Sequence, residues 1–240
     1  MNVDHEELRT EVWPQTRQQF ENSGFILIRS LFTPNEIREL REPFAQLMNA
    51  GRAGSRHILR RSPEMAALAK SERITGLLTQ LSGSMPFPVR GLLFDKTPAA
   101  NWQVSWHQDL TISVKERVEV PEYGPWSVKE EVNHAEAPVS LLERMLTVRI
   151  HLDDAEQSNG ALRVIAGSHR FGKLNQEGVK CAAAGASTIC ETSAGDVLVM
   201  RPLLLHASSP ASHPHHRRVI HIEYALDVLP DGLEWFESAK

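Results

Sequence analysis

"RRVIHIEYA", residues 217–225, alternates with a period of two. Successive side chains on a strand point to opposite sides. Arg217, Val219, His221 and Glu223 therefore share one face of a predicted strand, and Arg218, Ile220, Ile222 and Tyr224 share the other. "LTVRIHLD", residues 146–153, repeats the device, with Leu146, Val148, Ile150 and Leu152 opposite Thr147, Arg149, His151 and Asp153. Each strand offers an apolar face that suits packing against helices. Each also carries Arg and His on the other face, and burying those costs free energy unless they find partners or a ligand. Two such strands predict a sheet whose polar side is either solvated or lines a polar cavity.

Further strand-like segments lie near 88–97, 105–110, 161–166, 187–192, 196–201 and 203–208, punctuated by turn signals such as Asn159-Gly160 and Gly195-Asp196. The first third reads differently. After one early strand, "GFILIRSLF" at 24–32, "TPNEIRELREPFAQLMNAG" opens with Thr33 as cap, Pro34 at the first helical position and Glu36 completing a capping box, and Gly51 closes it. Ile37, Leu40, Phe44, Leu47 and Met48 recur at helical spacing, as do Ile74, Leu77, Leu78 and Leu81. The expected fold is mainly β with flanking α: an antiparallel jelly roll over 88–226, supported by a mostly helical segment 1–87, in a single domain of 240 residues. The interval 111–143 is too long for a turn and rich in charge and Pro, which predicts an insertion that acts as a lid or binding loop.

An apolar fraction of 41% and a charged fraction of 23% are those of an ordinary globular chain, and a net charge of −4 argues against nucleic acid as partner. The charged start "MNVDHEELRTEVW" and the absence of a long uncharged apolar run predict a cytoplasmic protein without a membrane span. Cys181 and Cys190 fit a reducing compartment.

Two His-x-Asp triplets place an imidazole and a carboxylate two residues apart, where a strand would let both grip one ion. They are His107 with Asp109, in "NWQVSWHQDLTI" at 101–112, and His151 with Asp153. The residues themselves do not choose between them. "RPLLLHASSPASHPHHRRVIH" adds His206, with Arg217 following 11 residues later.

With "FDKTP", "WHQD", "NGALRVIAGSH", "AGDVLVM" and "LLLHAS" followed by "HRRVI" in that order, the chain resembles the phytanoyl-CoA dioxygenase family of iron(II)/2-oxoglutarate-dependent oxygenases from about Phe25 to Tyr224. The resemblance implies a double-stranded β-helix, cupin-like, with the N-terminal helices packed on its major sheet. It implies His107, Asp109 and His206 as iron ligands and Arg217 as partner of the distal carboxylate of 2-oxoglutarate. Two neutral imidazoles and one carboxylate hold iron(II) on one side and leave positions open for the keto acid and O2. An arginine fork suits a carboxylate. Lys96, in the "DKTP" segment, is implied as a further cosubstrate or substrate contact, and Arg218 ranks behind Arg217 because it faces the other side of its strand. Four strands separate the His-x-Asp strand from the distal histidine in the family's jelly roll; that count fits a start at His107 and not at His151. Related halogenases carry a small residue where Asp109 stands, so Asp109 points to hydroxylation.

The expected partner is a small molecule, polar or anionic, with Arg149, His151 and Trp126 as pocket candidates. His169 is expected to shape a turn, and His213, His215 and His216 to lie in a solvated connection. Competing readings are a cupin-like metalloenzyme that needs no keto acid and a catalytically silent jelly roll that binds metal or ligand.

Overall fold

A computed structural model describes residues 2–4, 13–48, 53–230 and 232–238, the first three as backbone alone. Strand β1 (Asn2–Asp4) precedes helix α1 (Trp13–Ser23), β2 (Phe25–Arg29) and α2 (Pro34–Leu47). At the start of α2 the backbone N–H of Thr33 donates to Glu36 Oε2 at 2.8 Å, and the N–H of Glu36 donates to Thr33 Oγ1 at 3.4 Å. Such a cap contributes about 1 kcal/mol. The helix ends at Leu47, and the expected terminator Gly51 lies outside the described residues. There follow β3 (Gly54–Arg56), α3 (Ile58–Arg61), α4 (Pro63–Ala69) and α5 (Glu72–Ser82), then β4 (Phe87–Lys96) and β5 (Val104–His107).

The interval 111–143 is not an irregular loop. It forms β6 (Thr111–Val114), β7 (Trp126–Lys129) and β8 (Val132–Glu136), a three-stranded sheet in the order β6-β8-β7, and a short helix α6 (Val139–Leu142). Ile112, Val114, Ala135 and Leu142 from this interval share an apolar cluster with Ala225, Leu229, Leu233 and Trp235 from the end of the chain.

The remaining elements are β9 (Met145–His151), β10 (Leu162–Val164), α7 (Gln176–Ala183), β11 (Thr188–Cys190), β12 (Val197–Met200), β13 (His206–Ser208) and β14 (Arg217–Ala225). A seven-stranded sheet runs β1-β2-β12-β9-β14-β4-β3, and a four-stranded sheet runs β11-β10-β13-β5. Together they make a jelly roll, a double-stranded β-helix.

The alternation at 146–153 and 217–225 places both sheet faces. Leu146, Val148 and Ile150 of β9, Val197 and Val199 of β12, and Ile220, Ile222 and Tyr224 of β14 form one cluster with Phe20, Phe44, Ile74, Leu78 and Leu81 of the helices. This is the main core, and it leaves the opposite face turned toward the four-stranded sheet. Half of that inner space is apolar, filled by Phe25, Leu27, Leu162, Val164, Leu198 and Met200. The other half receives the polar face. Arg149 pairs with His221 across β9 and β14, and Glu223 pairs with Arg90 across β14 and β4. Among the described residues no helix is long and apolar enough to cross a membrane.

Candidate active site

His107 ends β5 and His206 opens β13, and the register of these antiparallel strands pairs the two residues directly. The strand predicted over 203–208 is shorter than expected, because Leu203 and Leu204 lie in a turn before it. Asp109 is likewise not on a strand with His107, since β5 stops there. The carboxylate is brought in by a corner. Its backbone N–H donates to Pro202 O at 2.9 Å, and the intervening Gln108 is buried with three bonds: Nε2 donates to Gly172 O at 2.8 Å and Leu203 O at 2.7 Å, and Oε1 accepts the Leu174 N–H at 2.8 Å.

The result is one convergent donor set. Asp109 Oδ1 lies 3.8 Å from His107 Nε2, and Asp109 Oδ2 lies 3.6 Å from His206 Nε2. One donor atom from each residue falls within 4.8 Å of the others, and this is the one such group found among the described residues. Both rings are oriented from behind: His107 Nδ1 bonds Ser105 O at 2.8 Å and His206 Nδ1 bonds Leu204 O at 2.8 Å. With Nδ1–H donating to a carbonyl, each Nε2 keeps its lone pair for a metal. Burial holds His206 down to about 4, so it is neutral at physiological pH, although Asp109 pulls the other way. Burial pushes the Asp109 carboxyl up, but the combined field of His206, His221, His107 and Arg90 overrides it and holds the group at about 2. Asp109 Oδ2 finds no hydrogen-bond partner among the described residues. Two imidazoles with Nε2 turned inward, facing an ionised, unsatisfied carboxylate oxygen, are the donor chemistry of a facial iron(II) site.

Gln108 acts on this set from outside it. We expect Gln108→Ala to lower iron(II) affinity about 10–100-fold, the usual cost of losing a group that orients a ligand. Equilibrium competition with a chelator measures it, with far-UV circular dichroism confirming the fold.

The rival triplet does not converge. His151 Nδ1 meets Thr192 Oγ1 at 2.9 Å, whereas Asp153 accepts from Arg218 at 2.7 Å and from Arg41 at 3.0 Å on the other side of the sheet. Arg218 is committed to Asp153.

The triad stands in a cavity of about 190 Å³ whose lining also includes Arg149, Arg217, His221, Glu223, Arg90, Arg56, Phe94 and Trp102. Arg217 is buried. Its Nη1 donates to Gly160 O in a short contact, and its Nε finds no partner among the described residues. Burial, reinforced by Arg149, pushes its guanidinium down to about 10, which leaves it charged. Gly160 sits at φ +80, where a Cβ would meet Ser209 O at 2.5 Å and Lys96 Nζ at 2.9 Å, so the Asn159-Gly160 turn that supports Arg217 requires glycine. Lys96 pairs with Arg217 in register, but its ammonium is taken by Ser209 O at 2.6 Å and Ser208 Oγ at 3.1 Å, behind the cavity wall. Burial lowers it to about 8.

Of the pocket candidates, Arg149 lines the cavity and the other two do not. His151 is buried deeper, against Thr192, and Trp126 on β7 packs against the second apolar cluster. His169 bonds Glu21 O at 3.0 Å in a 3-10 turn at Ser168–Phe171, and His216 bonds Asp95 at 2.8 Å in the connection before β14.

The sequence profile of the family described as "Phytanoyl-CoA dioxygenase (PhyH)" matches residues 20–219. The chain belongs to the phytanoyl-CoA dioxygenase family. No curated protein matches it. Among solved structures it is similar to EctD from S. alaskensis with 2-oxoglutarate and 5-hydroxyectoine, at a TM-score of 0.70 and 19% identity over 94% of this chain and 83% of that one. It is similar also to the non-heme alpha ketoglutarate dependent carbocyclase SnoK from nogalamycin biosynthesis, at 0.68 and 16% over 94% and 87%. AviO1 from Streptomyces viridochromogenes Tue57 gives 0.66 and 23% over 91% and 96%. At these identities the likeness is one of fold.

Within the dioxygenase family's landmarks, "WHQD" signalled His107 and Asp109 but not what Gln108 does. Arg56 and Arg90 in the cavity had no signal of their own, and "FDKTP" did not single out Phe94. Arg90 donates to Glu223 at 3.1 Å across 133 residues of sequence, a pairing no local pattern carries.

Proposed function

We propose that the chain is a non-haem iron(II)/2-oxoglutarate-dependent dioxygenase that hydroxylates a small organic molecule. The observation that supports this reading best is the convergence of His107, Asp109 and His206 beside a buried arginine, Arg217, in one cavity. In this reading the three residues hold iron(II), and Arg217 receives the distal carboxylate of 2-oxoglutarate through a charge-assisted fork. Bound there, iron(II) supplies the redox chemistry that couples decarboxylation of the keto acid to oxidation of the substrate. The overall change is balanced: substrate C–H, 2-oxoglutarate and O2 give C–OH, succinate and CO2, with one oxygen atom in succinate and the other in the product.

The protein's own work is positional. The Ser105 and Leu204 carbonyls keep both Nε2 atoms free, Gln108 fixes the Asp109 corner, and Gly160 braces Arg217. Asp109 fills the position that a halide would need, which supports hydroxylation over halogenation. Hydroxylation also asks only that a substrate C–H face the open side of the site, whereas ring closure or epimerisation asks for a second placed group. Lys96, paired in register with Arg217 and bonded to Ser208 and Ser209, supports the cavity wall in this reading. A cytoplasmic setting belongs to the same reading and is supported by two free thiols, Cys181 and Cys190.

Succinate formation tests the proposal. Protein reconstituted with iron(II) converts 2-oxoglutarate to succinate in the presence of O2, and omitting any one of the three stops it. Tightly bound iron without succinate at any 2-oxoglutarate concentration contradicts it.

A further inference from the structure

The cavity holds more positive charge than the proposed chemistry uses. Four guanidiniums, of Arg56, Arg90, Arg149 and Arg217, face two carboxylates, of Asp109 and Glu223. Each group but one has a partner once the site is loaded. Arg90 pairs with Glu223 at 3.1 Å, and Arg56, at the rim, with Glu130 at 4.0 Å. Iron(II) is neutralised by Asp109 together with the chelating carboxylate of 2-oxoglutarate, and Arg217 by the distal carboxylate.

Arg149 remains. It is 6% exposed, and its Nη1 bond at 3.0 Å goes to His221 Nδ1, a neutral acceptor that balances no charge. Its Nε has no partner among the described residues. A buried cation of this kind is costly to keep without a counter-charge. His221 in turn reaches toward Glu223 Oε1 at 3.5 Å, so Arg149, His221, Glu223 and Arg90 form a row across the inner face of β9, β14 and β4. That row holds Arg149 in place while leaving one edge of its guanidinium unused.

Arg149 is also poorly sited to serve the distal end of the cosubstrate. It pairs in register with His221, four residues along β14 from Arg217. Four residues of strand span roughly 13 Å, more than the length of a five-carbon diacid. Arg149 lines the same cavity as the metal ligands and lies in the electrostatic field of Asp109 as well as that of Arg217.

We infer that the substrate carries a carboxylate and that Arg149 receives it beside the iron site. The single unbalanced charge fits one monoanion. The cavity of about 190 Å³ is smaller than the usual ligand pocket of about 300 Å³ or more, so with 2-oxoglutarate inside it admits a small acid or the acidic end of a larger one.

This inference rests on the oxygenase reading, and the test separates the two. Protein is loaded with iron(II) and 2-oxoglutarate without oxygen, and the visible charge-transfer band of the chelated keto acid is recorded. Butyrate and benzoate are then titrated against butyramide and benzamide, equal in shape and differing in charge. The acids are expected to shift the band at about tenfold lower concentration than the amides, as a hydrogen bond to a charged group allows. In Arg149→Gln that difference disappears while the band forms at the same 2-oxoglutarate concentration as in wild type; Arg149→Lys keeps part of it. Equal response to acids and amides in wild type overturns the inference, as does loss of the band because the acids displace 2-oxoglutarate. A raised 2-oxoglutarate requirement in Arg149→Gln also overturns it and assigns the residue to the cosubstrate. Should Arg149→Gln fail to fold, the wild-type contrast and Arg149→Lys decide. Absence of the band in wild type removes the oxygenase reading first, and this inference with it.

Discussion

Asp109→Ala is expected to give a folded protein that no longer turns over 2-oxoglutarate. The side chain stands outside the three apolar clusters, and its Oδ2 has no hydrogen-bond partner among the described residues, so its removal opens no core cavity and breaks no network at that atom. What is lost is the only anionic member of the donor set. Losing a group that merely orients a ligand costs up to about 100-fold in metal affinity or activity, and losing the ligand exceeds that. Succinate production should therefore fall by more than about 100-fold, with the thermal melting temperature of the metal-free protein little changed. Turnover within a few fold of wild type would mean that the iron is held elsewhere.

Arg217→Ala should act on the cosubstrate rather than on the metal. Arg217 is 4% exposed and has unused donor capacity at Nε, so a carboxylate placed against it is desolvated and charge-paired. Removing one partner of a buried, hydrogen-bonded charge pair costs about 2–5 kcal/mol, at least about thirtyfold in the concentration of 2-oxoglutarate needed for half-maximal turnover. Iron content should stay at the wild-type level. Arg217→Lys should recover only part of the loss, because an ammonium supplies the charge without the planar fork. An unchanged requirement for 2-oxoglutarate would mean that its distal carboxylate is held elsewhere, and turnover that is unchanged and needs no keto acid would favour a cupin-like metalloenzyme.

The sequence disclosed those parts of the molecule in which one local pattern meets one physical demand. Residues 217–225 and 145–151 alternate cleanly because one face packs on helices and the other turns toward the second sheet; that Arg217, His221 and Glu223 share a face was legible before any fold was known, but whether that face met solvent or a cavity was not. The helical stripe at Ile74, Leu77, Leu78 and Leu81 was legible for the same reason. The strands of 111–143 were not, being four or five residues long, of mixed polarity, and stabilised by contact with Leu229, Leu233 and Trp235 far along the chain. Asp109 does stand beside His107, but through a corner held by Gln108 and Pro202 rather than along a strand. Arg90 with Glu223 and Arg56 with Glu130 are meetings of distant strands.

A site built on His107, Asp109 and His206, and not on His151 and Asp153, has a direct spectroscopic consequence. Anaerobic titration of iron(II)-loaded protein with 2-oxoglutarate, followed by the visible charge-transfer band, tests it in three samples. Wild type and His151→Ala should develop the band, and His107→Ala should not. A band that survives in His107→Ala and vanishes in His151→Ala would contradict the account.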